Sequence, residues 1–376
     1  ADRPSVTNAL AVIQSYSPWR PSAGVTESGL TIKDLENSDL TYEKKHELNI
    51  GADLGFLDNR INLTVDWYKR DNFDLIGLVM TQGIGGQIQK YGNVATMKSR
   101  GIEFSLSTKN IKTKDFSWTT DFIYSHMKNE VTKFNTSTRA FNLVSGIGFS
   151  REGYPVNSLF SYDFRGLNED GVPTFINEAG VLTSTDINFQ ETERFDNLVY
   201  SGPSEPTDVG SFGNIFQYKG LRLNVFITYS FGNVVRLDPV FSSIYNDLDA
   251  MPREFRNRWM TPGDERYTDV PAIVSSRQVR NDSKLSYAYN AYNYSTARIA
   301  KGDFIRMKEI SLTYDFPKRW IKKLRMSNLA LKIQATNLFL IYADKKLNGQ
   351  DPEFFNSGGV ATPVPKQFTL TLKIGL

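Results

Sequence analysis

The residues best suited to recognition chemistry are four tyrosines in one polar section of the chain. Tyr287, Tyr289, Tyr292 and Tyr294 stand among Asn, Ser and Ala, a composition that combines broad aromatic contact area with adaptable hydrogen bonding. Tyrosine rings stack on sugars and bind peptides, but tyrosine is also a common loop residue with no ligand. We expect these four side chains to form a candidate ligand-binding surface on an extracellular loop.

Two acidic pairs carry the oxygen ligands that Ca²⁺ uses. They are Glu169 with Asp170, and Asp247 with Asp249. Exposed acids in turns are more simply explained as solvated side chains. We therefore predict no metal site and no cofactor, and keep these four residues only as weak calcium candidates.

Other chemistry is poorly supported by the composition. The chain has no cysteine and two histidines, His46 and His126, which fall at strand ends and supply no evident catalytic base. Net charge is +3 from 44 basic and 41 acidic residues, too balanced to indicate a nucleic-acid partner. The sequence therefore predicts a binding protein and not an enzyme.

Period-two alternation identifies the elements that must carry these side chains. In residues 42–70, apolar and polar residues alternate on both sides of a turn at 57–60. Successive side chains of a strand face opposite ways, so this pattern predicts a hairpin of two long strands. The apolar face is predicted to include Leu48, Ile50, Leu54, Leu63, Val65, Leu223, Val225, Leu370 and Leu372, and the polar face Asn49, Asp53, Asn62, Thr64, Asn224 and Thr369.

The same pattern recurs along the chain and predicts an all-β transmembrane antiparallel barrel wall of about nine strands. Residues 1–41 are expected to be an extracellular loop segment, and residues 42–376 the strands and their connections. Short turns alternate with long connections, as periplasmic turns and extracellular loops do in outer-membrane barrels. The predicted long loops are 73–96, 128–207, 233–300 and 341–365. Complete bacterial barrels have an even number of strands, so we expect the chain to be part of a longer one.

Three aromatic residues are predicted to mark the membrane interfaces. Trp67, Trp118 and Tyr124 lie near strand ends, where amphipathic rings settle at the level of lipid headgroups. No apolar run is long enough for a transmembrane helix, whereas a barrel strand needs only alternation. The lipid bilayer is thus an expected partner. A soluble antiparallel sheet, wet on one face, is the alternative explanation of the alternation.

Eight ordered blocks of the sequence resemble the C-terminal barrel portion of SusC-like TonB-dependent outer-membrane transporters of the Bacteroidetes RagA/SusC type. They cover nearly everything from Leu35 onward. The blocks are LENSDLTYEKKHELNIGADLGFLDNRINLTVDWYKR, YGNVATMKSRGIEFSL, NIKTKDFSWTTDFIYSHMKNEV, GYPVNSLFSYDFRGLNEDGVPTF, SFGNIFQYKGLRLNVFITYSFGN, FRNRWMTPGDERYTDVP, GDFIRMKEISLTYDFPKRWIKKLRMSNLALKIQATNLFLI and PKQFTLTLKIGL.

This resemblance implies a plugged barrel of about 22 strands in the bacterial outer membrane. It also implies active import of an oligomeric nutrient, a glycan or a peptide, together with a SusD-like surface lipoprotein. Energy would come from the TonB complex through an N-terminal part with no counterpart in this sequence, and the transporter–lipoprotein pairs could form a dimer. A surface adhesin or structural β-domain without transport is the alternative function, because one scaffold hosts many activities.

Overall fold

Strands make up most of the computed structural model, which describes residues 10–16, 29–81, 83, 88–136, 138–146, 150–240, 253–323, 326–355 and 365–375. The strands are Val12–Tyr16 (β1), Gly29–Asp34 (β2), Lys44–Phe56 (β3), Ile61–Met80 (β4), Gln89–Lys112 (β5), Phe116–Phe134 (β6), Ser158–Tyr162 (β7), Phe164–Leu167 (β8), Pro173–Ile176 (β9), Leu182–Thr183 (β10), Leu198–Pro203 (β11), Asp208–Tyr218 (β12), Leu221–Phe231 (β13), Val234–Arg236 (β14), Ile299–Lys301 (β15), Phe304–Asp315 (β16), Asn328–Ala343 (β17) and Gln367–Gly375 (β18). The α-helices are Ala140–Ser145 (α1), Ser276–Asn281 (α2), Leu285–Asn293 (α3) and Lys318–Lys323 (α4). None of these described helices is long and apolar enough to cross a membrane.

Within the described residues, nine strands form one continuous antiparallel sheet, which we call the wall. Its order is β3-β4-β5-β6-β12-β13-β16-β17-β18, so every strand pairs with its nearest wall neighbours along the chain. This confirms the predicted antiparallel wall of about nine strands. β5 is 24 residues long. At ~3.3 Å per residue that is about 80 Å, far more than the ~30 Å hydrocarbon core it would cross.

The two faces of the wall differ sharply in polarity, as the alternation predicts. One cross-strand row is wholly apolar and consists of Leu54, Leu63, Leu106, Phe122, Phe212, Ile227, Met307 and Phe339. A row on the opposite face is mostly polar and consists of Asn62, Ser107, Asp121, Gly213, Phe226, Glu309, Thr336 and Gln367. Side chains on the polar face bond to each other, as when the Ser107 hydroxyl donates to Asp121 Oδ1 at 2.7 Å. Polar contacts of this kind suit a face turned toward a barrel lumen.

The first long connection is shorter than the sequence analysis predicts. Most of the predicted loop 73–96 is strand, because β4 continues to Met80 and β5 begins at Gln89. The pairing of β4 with β5 shifts register around Asp74, whose φ of 55° is left-handed. A bulge of this kind inserts one extra residue into the strand, so the side chains beyond it point to the opposite faces. The period-two alternation is interrupted there, and the sequence pattern no longer indicates a strand.

Other predicted boundaries also move where ordered elements occupy expected loops. The predicted loop segment 1–41 contains an antiparallel hairpin of β1 and β2. β6 extends into the predicted loop 128–207 and ends at Phe134. The predicted loop 233–300 includes β14, α2, α3 and part of β15, and helix α4 lies in the connection from β16 to β17. These segments are ordered by short strand pairings and by tertiary packing, and such order leaves no periodic pattern of apolar residues in the sequence.

A hydrophobic core forms within the two longest connections of the wall, β6 to β12 and β13 to β16. We call it the loop core. Its buried members are Ala140, Leu143, Val144, Phe160, Tyr162, Phe175, Ile187, Leu198, Val240, Phe255, Ala291 and Tyr292. The first connection contributes residues of α1, β7, β9 and β11 together with Ile187, and the second contributes Val240, Phe255 and residues of α3. These connections are therefore folded structure that can position side chains.

Candidate functional site

An open groove lined by aromatic rings lies on the surface of the loop core. We call it the aromatic groove. Its volume is about 420 Å³, and it is lined by Phe141, Phe189, Gln190, Tyr287, Asn290 and Tyr294. Phe141 and Tyr287 remain 40% and 47% exposed, so their rings can contact a ligand. Aromatic faces provide contact area for sugar rings or peptide side chains, while the two amides can donate and accept hydrogen bonds.

Backbone pairing places the two phenylalanines of the groove side by side. At the start of α1 the Ala140 N–H donates to the Glu191 carbonyl at 2.7 Å, and the Phe141 N–H donates to the Phe189 carbonyl at 3.0 Å. The first N–H groups of a helix lack partners within the helix, so these two bonds also satisfy the α1 terminus. Phe141 then meets Tyr294 edge-on, with ring centroids 5.6 Å apart.

Helix α3 supplies the tyrosine side of the groove. Tyr287, Asn290 and Tyr294 are three and four residues apart, a spacing that places side chains on one helix face. Ala288 and Ala291 lie on the opposite face and are fully buried. Alanine has the highest helix propensity, and its small side chain lets α3 pack closely on its neighbours. The sequence analysis treated this section as loop, and the helix corrects that expectation.

Tyr289 and Tyr292 do not line the groove, because each is only 2% exposed. Tyr292 packs edge-on against Phe164 at 5.4 Å, and the Tyr289 hydroxyl donates to the Ala272 carbonyl at 2.7 Å. Burial raises the pKa of Tyr289 and raises the pKa of Tyr292 to about 12. The expectation of four surface tyrosines is therefore wrong for these two, since the helical period turns them inward. A ligand role stays a prediction for Tyr287 and Tyr294.

Two arginines, the partly buried Arg236 and the buried Arg298, tie the segments of the loop core together. The Arg236 guanidinium donates to the Phe160 carbonyl at 2.7 Å and lies 5.5 Å from the centre of the Tyr294 ring. Burial lowers the pKa of Arg236 to about 10, which still leaves it charged at neutral pH. Arg298 forms an ion pair with Glu254. Charge-assisted bonds of this kind are short and directional, so they hold the Arg236 guanidinium beside the ring of Tyr294, which lines the groove.

The acidic calcium candidates do not converge in the part of the chain that the structure describes. Glu169 and Asp170 are exposed in the turn between β8 and β9, where the Asp170 N–H donates to Asn168 Oδ1 at 3.0 Å. No group of three His, Asp or Glu side chains arranged for a metal ion occurs among the described residues. Asp247 and Asp249 lie outside the described residues.

The three predicted girdle aromatics lie on the apolar face of the wall. Trp67 pairs with Ile102 toward the long connections, Tyr124 follows one row below, and Trp118 stacks on Phe216 toward the short turns. From Trp118 to the level of Trp67 is about 26 Å along the strand at ~3.3 Å per residue, or about 20 Å of height at a tilt of ~40°, comparable with the ~25 Å of an outer-membrane apolar band. Their placement at the headgroups stays a prediction.

Four residues of the groove are not predicted from the sequence: Phe141, Phe189, Gln190 and Asn290. A helical period of three to four from Tyr287 would have found Asn290. No local signal connects Phe141 with Phe189, because they lie in separate parts of the β6 to β12 connection and meet only through backbone pairing.

The fold defines the class of protein. The sheet is tall and antiparallel, it has one apolar and one polar face, and its long connections are folded at one end. These are the features of the wall of a transmembrane β-barrel. The family model "TonB dependent receptor-like, beta-barrel" matches residues 7–338. The chain belongs to this family, and its wall is part of an outer-membrane receptor barrel. The family consists of TonB-dependent receptors and not of enzymes, in agreement with the sequence analysis.

Individual relatives give the same result. The chain is 26% identical over 344 residues to TonB-dependent receptor P3 of Formosa agariphila, covering 87% of this chain and 32% of the relative. It is 27% identical over 357 residues to TonB-dependent receptor SusC of Bacteroides thetaiotaomicron, covering 90% and 32%. The structure of the RagAB peptide importer in the 'closed-closed' state matches with a TM-score of 0.74 and 24% identity, covering 98% of this chain and 39% of the other. The chain thus spans about a third of the length of the curated relatives it matches.

Proposed function

We propose that this chain is the substrate-capturing part of the wall and loops of a TonB-dependent importer for an oligomeric nutrient. The observation that carries the proposal is the aromatic groove, a solvent-open recognition surface built on the loop core. Membership in the TonB-dependent receptor family supports transport over an adhesin. Energy for this import would come from the TonB complex.

The long connections, and with them the groove, are assigned to the extracellular side. Outer-membrane barrels have short periplasmic turns and longer extracellular loops. The loop core belongs entirely to the connections at one end of the wall. An arriving substrate would therefore meet the aromatic groove before the lumen.

The groove favours an uncharged stretch of a peptide or a glycan. Its lining combines four aromatic rings with the amides of Gln190 and Asn290, and includes no acidic or basic side chain among the described residues. Similarity to the RagAB peptide importer supports a peptide, although both oligomer classes suit aromatic and amide contacts.

Partner proteins follow from the same comparison. RagAB and SusC-like relatives support a SusD-like surface lipoprotein that closes over the long-connection end. Such a lid would enclose substrate held in the groove, and two transporter–lipoprotein pairs could assemble as a dimer.

The test uses the full-length transporter in cells and a double variant, Phe141→Ala with Tyr287→Ala. Losing two exposed stacking rings, each worth about 0.5–1.5 kcal/mol, should raise the half-saturating substrate concentration roughly 5- to 150-fold. Uptake of labelled peptide and oligosaccharide mixtures identifies the substrate class, and an uncoupler should abolish uptake of the true one. Tyr267→Ala is the matched control, since Tyr267 is 89% exposed and lies outside the groove lining. Unchanged half-saturation in a normally folded double variant would refute capture by the groove.

A further inference from the structure

A row of positive side chains crosses three neighbouring strands on the apolar face of the wall. Lys69 of β4 is paired with Arg100 of β5, and Arg100 is paired with Lys128 of β6. Lys98 follows in the next row on the same face of β5. Together with Trp67, these four cations line a groove of about 370 Å³ that also includes Glu130. We call Lys69, Arg100, Lys128 and Lys98 the cation row.

No acidic side chain in the described part of the protein forms an ion pair with the cation row. None of its four side chains takes part in an ion pair or a side-chain hydrogen bond with another described residue. Asp71 and Glu130 pair with Lys98 across the strands, but neither reaches ion-pair distance. Like charges directly opposite each other on a sheet are destabilising. The arrangement therefore suits an external anion.

The position of the cation row indicates which anion. The adjacent row toward the membrane contains Ile50, Trp67 and Ile102, and below it lie Val65 and Phe104, all on the apolar face. The cation row stands about 7 Å beyond Trp67, one two-residue repeat at ~3.3 Å per residue. We expect side chains at this height to meet the lipid headgroups, because aromatic residues settle at that level and apolar rows suit hydrocarbon.

We propose that the cation row binds the phosphate of a membrane lipid headgroup, in the leaflet on the side of the long connections. The guanidinium of Arg100 matches phosphate oxygens with two parallel N–H donors, while Lys69 and Lys128 flank it as point charges. The acyl chains then pass over Trp67 and Ile102 toward the hydrocarbon. Such a lipid removes the repulsion between neighbouring strands and anchors β4, β5 and β6 at the interface.

The experiment places the full-length protein in phosphatidylcholine vesicles with increasing fractions of a brominated lipid that quenches Trp67 fluorescence. Brominated phosphatidylglycerol should quench at a clearly lower mole fraction than brominated phosphatidylcholine with the same chains. Subtracting the signal of a Trp67→Phe variant isolates the response at this site. Equal quenching by the two lipids in the unchanged protein would overturn the proposal, whatever the variants do.

A triple variant tests the residues themselves. We expect a roughly 10- to 100-fold smaller preference for phosphatidylglycerol when Lys69→Gln, Arg100→Gln and Lys128→Gln are combined. Each Lys or Arg near the membrane surface adds its own electrostatic attraction to an anionic lipid, and the triple variant loses three of them. The matched control removes three exposed charges near the short turns by combining Lys112→Gln, Lys114→Gln and Lys219→Gln. This control should keep the preference for phosphatidylglycerol that Trp67 quenching reports. Heat-dependent electrophoretic mobility verifies that both variants fold. A preference that survives the triple change would show that the cation row does not bind the headgroup.

Discussion

Tyr292 and Tyr287 lie five residues apart, yet the structure predicts opposite effects when each is replaced by alanine. Tyr292 is 2% exposed and packs on Phe164 inside the loop core, whereas Tyr287 is 47% exposed at the rim of the aromatic groove. Tyr292→Ala should therefore open the loop core, and Tyr287→Ala should leave it folded. The change tests whether the long connections are a packed structure.

The size of the effect follows from burial. Truncating a buried aromatic side chain costs about 3–5 kcal/mol, because transfer and cavity terms add. That cost raises the open fraction of the loop core by a factor of about 150 to 4,000. For Tyr287 the lost contact is mainly one ring at 6.0 Å, Phe189. An exposed substitution of this kind usually changes stability by about 0.5 kcal/mol or less.

Amide hydrogen exchange of the full-length protein in detergent measures both effects locally. In Tyr292→Ala, exchange in β7 and α3 should accelerate by the factor above, while the wall strand β12 stays protected. Tyr292→Phe keeps the ring and should leave most of the protection. The reasoning is refuted if β7 remains protected in Tyr292→Ala, or if Tyr287→Ala loosens β7 to the same degree.

Three further predictions concern the wall and its connections. A water-soluble maleimide should label Ser107→Cys and spare Leu106→Cys in membranes, because these neighbours lie on the polar and apolar faces. Asp264 accepts two backbone N–H bonds, which hold the pKa of its carboxyl below the usual value. The stability that this carboxylate gives to the local fold is therefore fully present above about pH 4, and it is lost as the pH falls through the lowered pKa of the folded state. Exchange of residues 259–268, corrected for intrinsic rates, should therefore rise in acid, and less so in Asp264→Asn. Asp351→Ala leaves the buried guanidinium of Arg306 with one acidic partner fewer and should destabilise the last long connection by about 3 kcal/mol, measured by protease susceptibility of residues 344–355.

Each of these predictions has a contrary outcome. Labelling of Leu106→Cys ahead of Ser107→Cys would reverse the faces of the wall. Acid exchange identical in Asp264→Asn and the unchanged protein would remove the carboxylate from the explanation. For the ion pair, the double change of Arg306 to Met and Asp351 to Leu should cost less than Asp351→Ala alone, and an equal cost would mean that the unpaired charge is not the cause.

Local alternation of apolar and polar residues is sufficient to predict the wall. Alternation such as Leu48, Asn49, Ile50 is local, because the two faces of a strand are fixed by backbone geometry. The turn at residues 57–60 was predicted for the same reason, and its residues Asp58 and Asn59 adopt the left-handed conformation that such side chains tolerate. Nine antiparallel strands followed without any knowledge of distant contacts.

The groove, the loop core and the cation row depend on long-range packing and strand register. Phe141 meets Phe189 through backbone pairing between separate segments, and Tyr292 is buried by a core to which both long connections contribute. Lys69, Arg100 and Lys128 become neighbours only through the register of three strands. Each of these features joins residues far apart in the chain, and packing and register, which no local pattern encodes, bring them together.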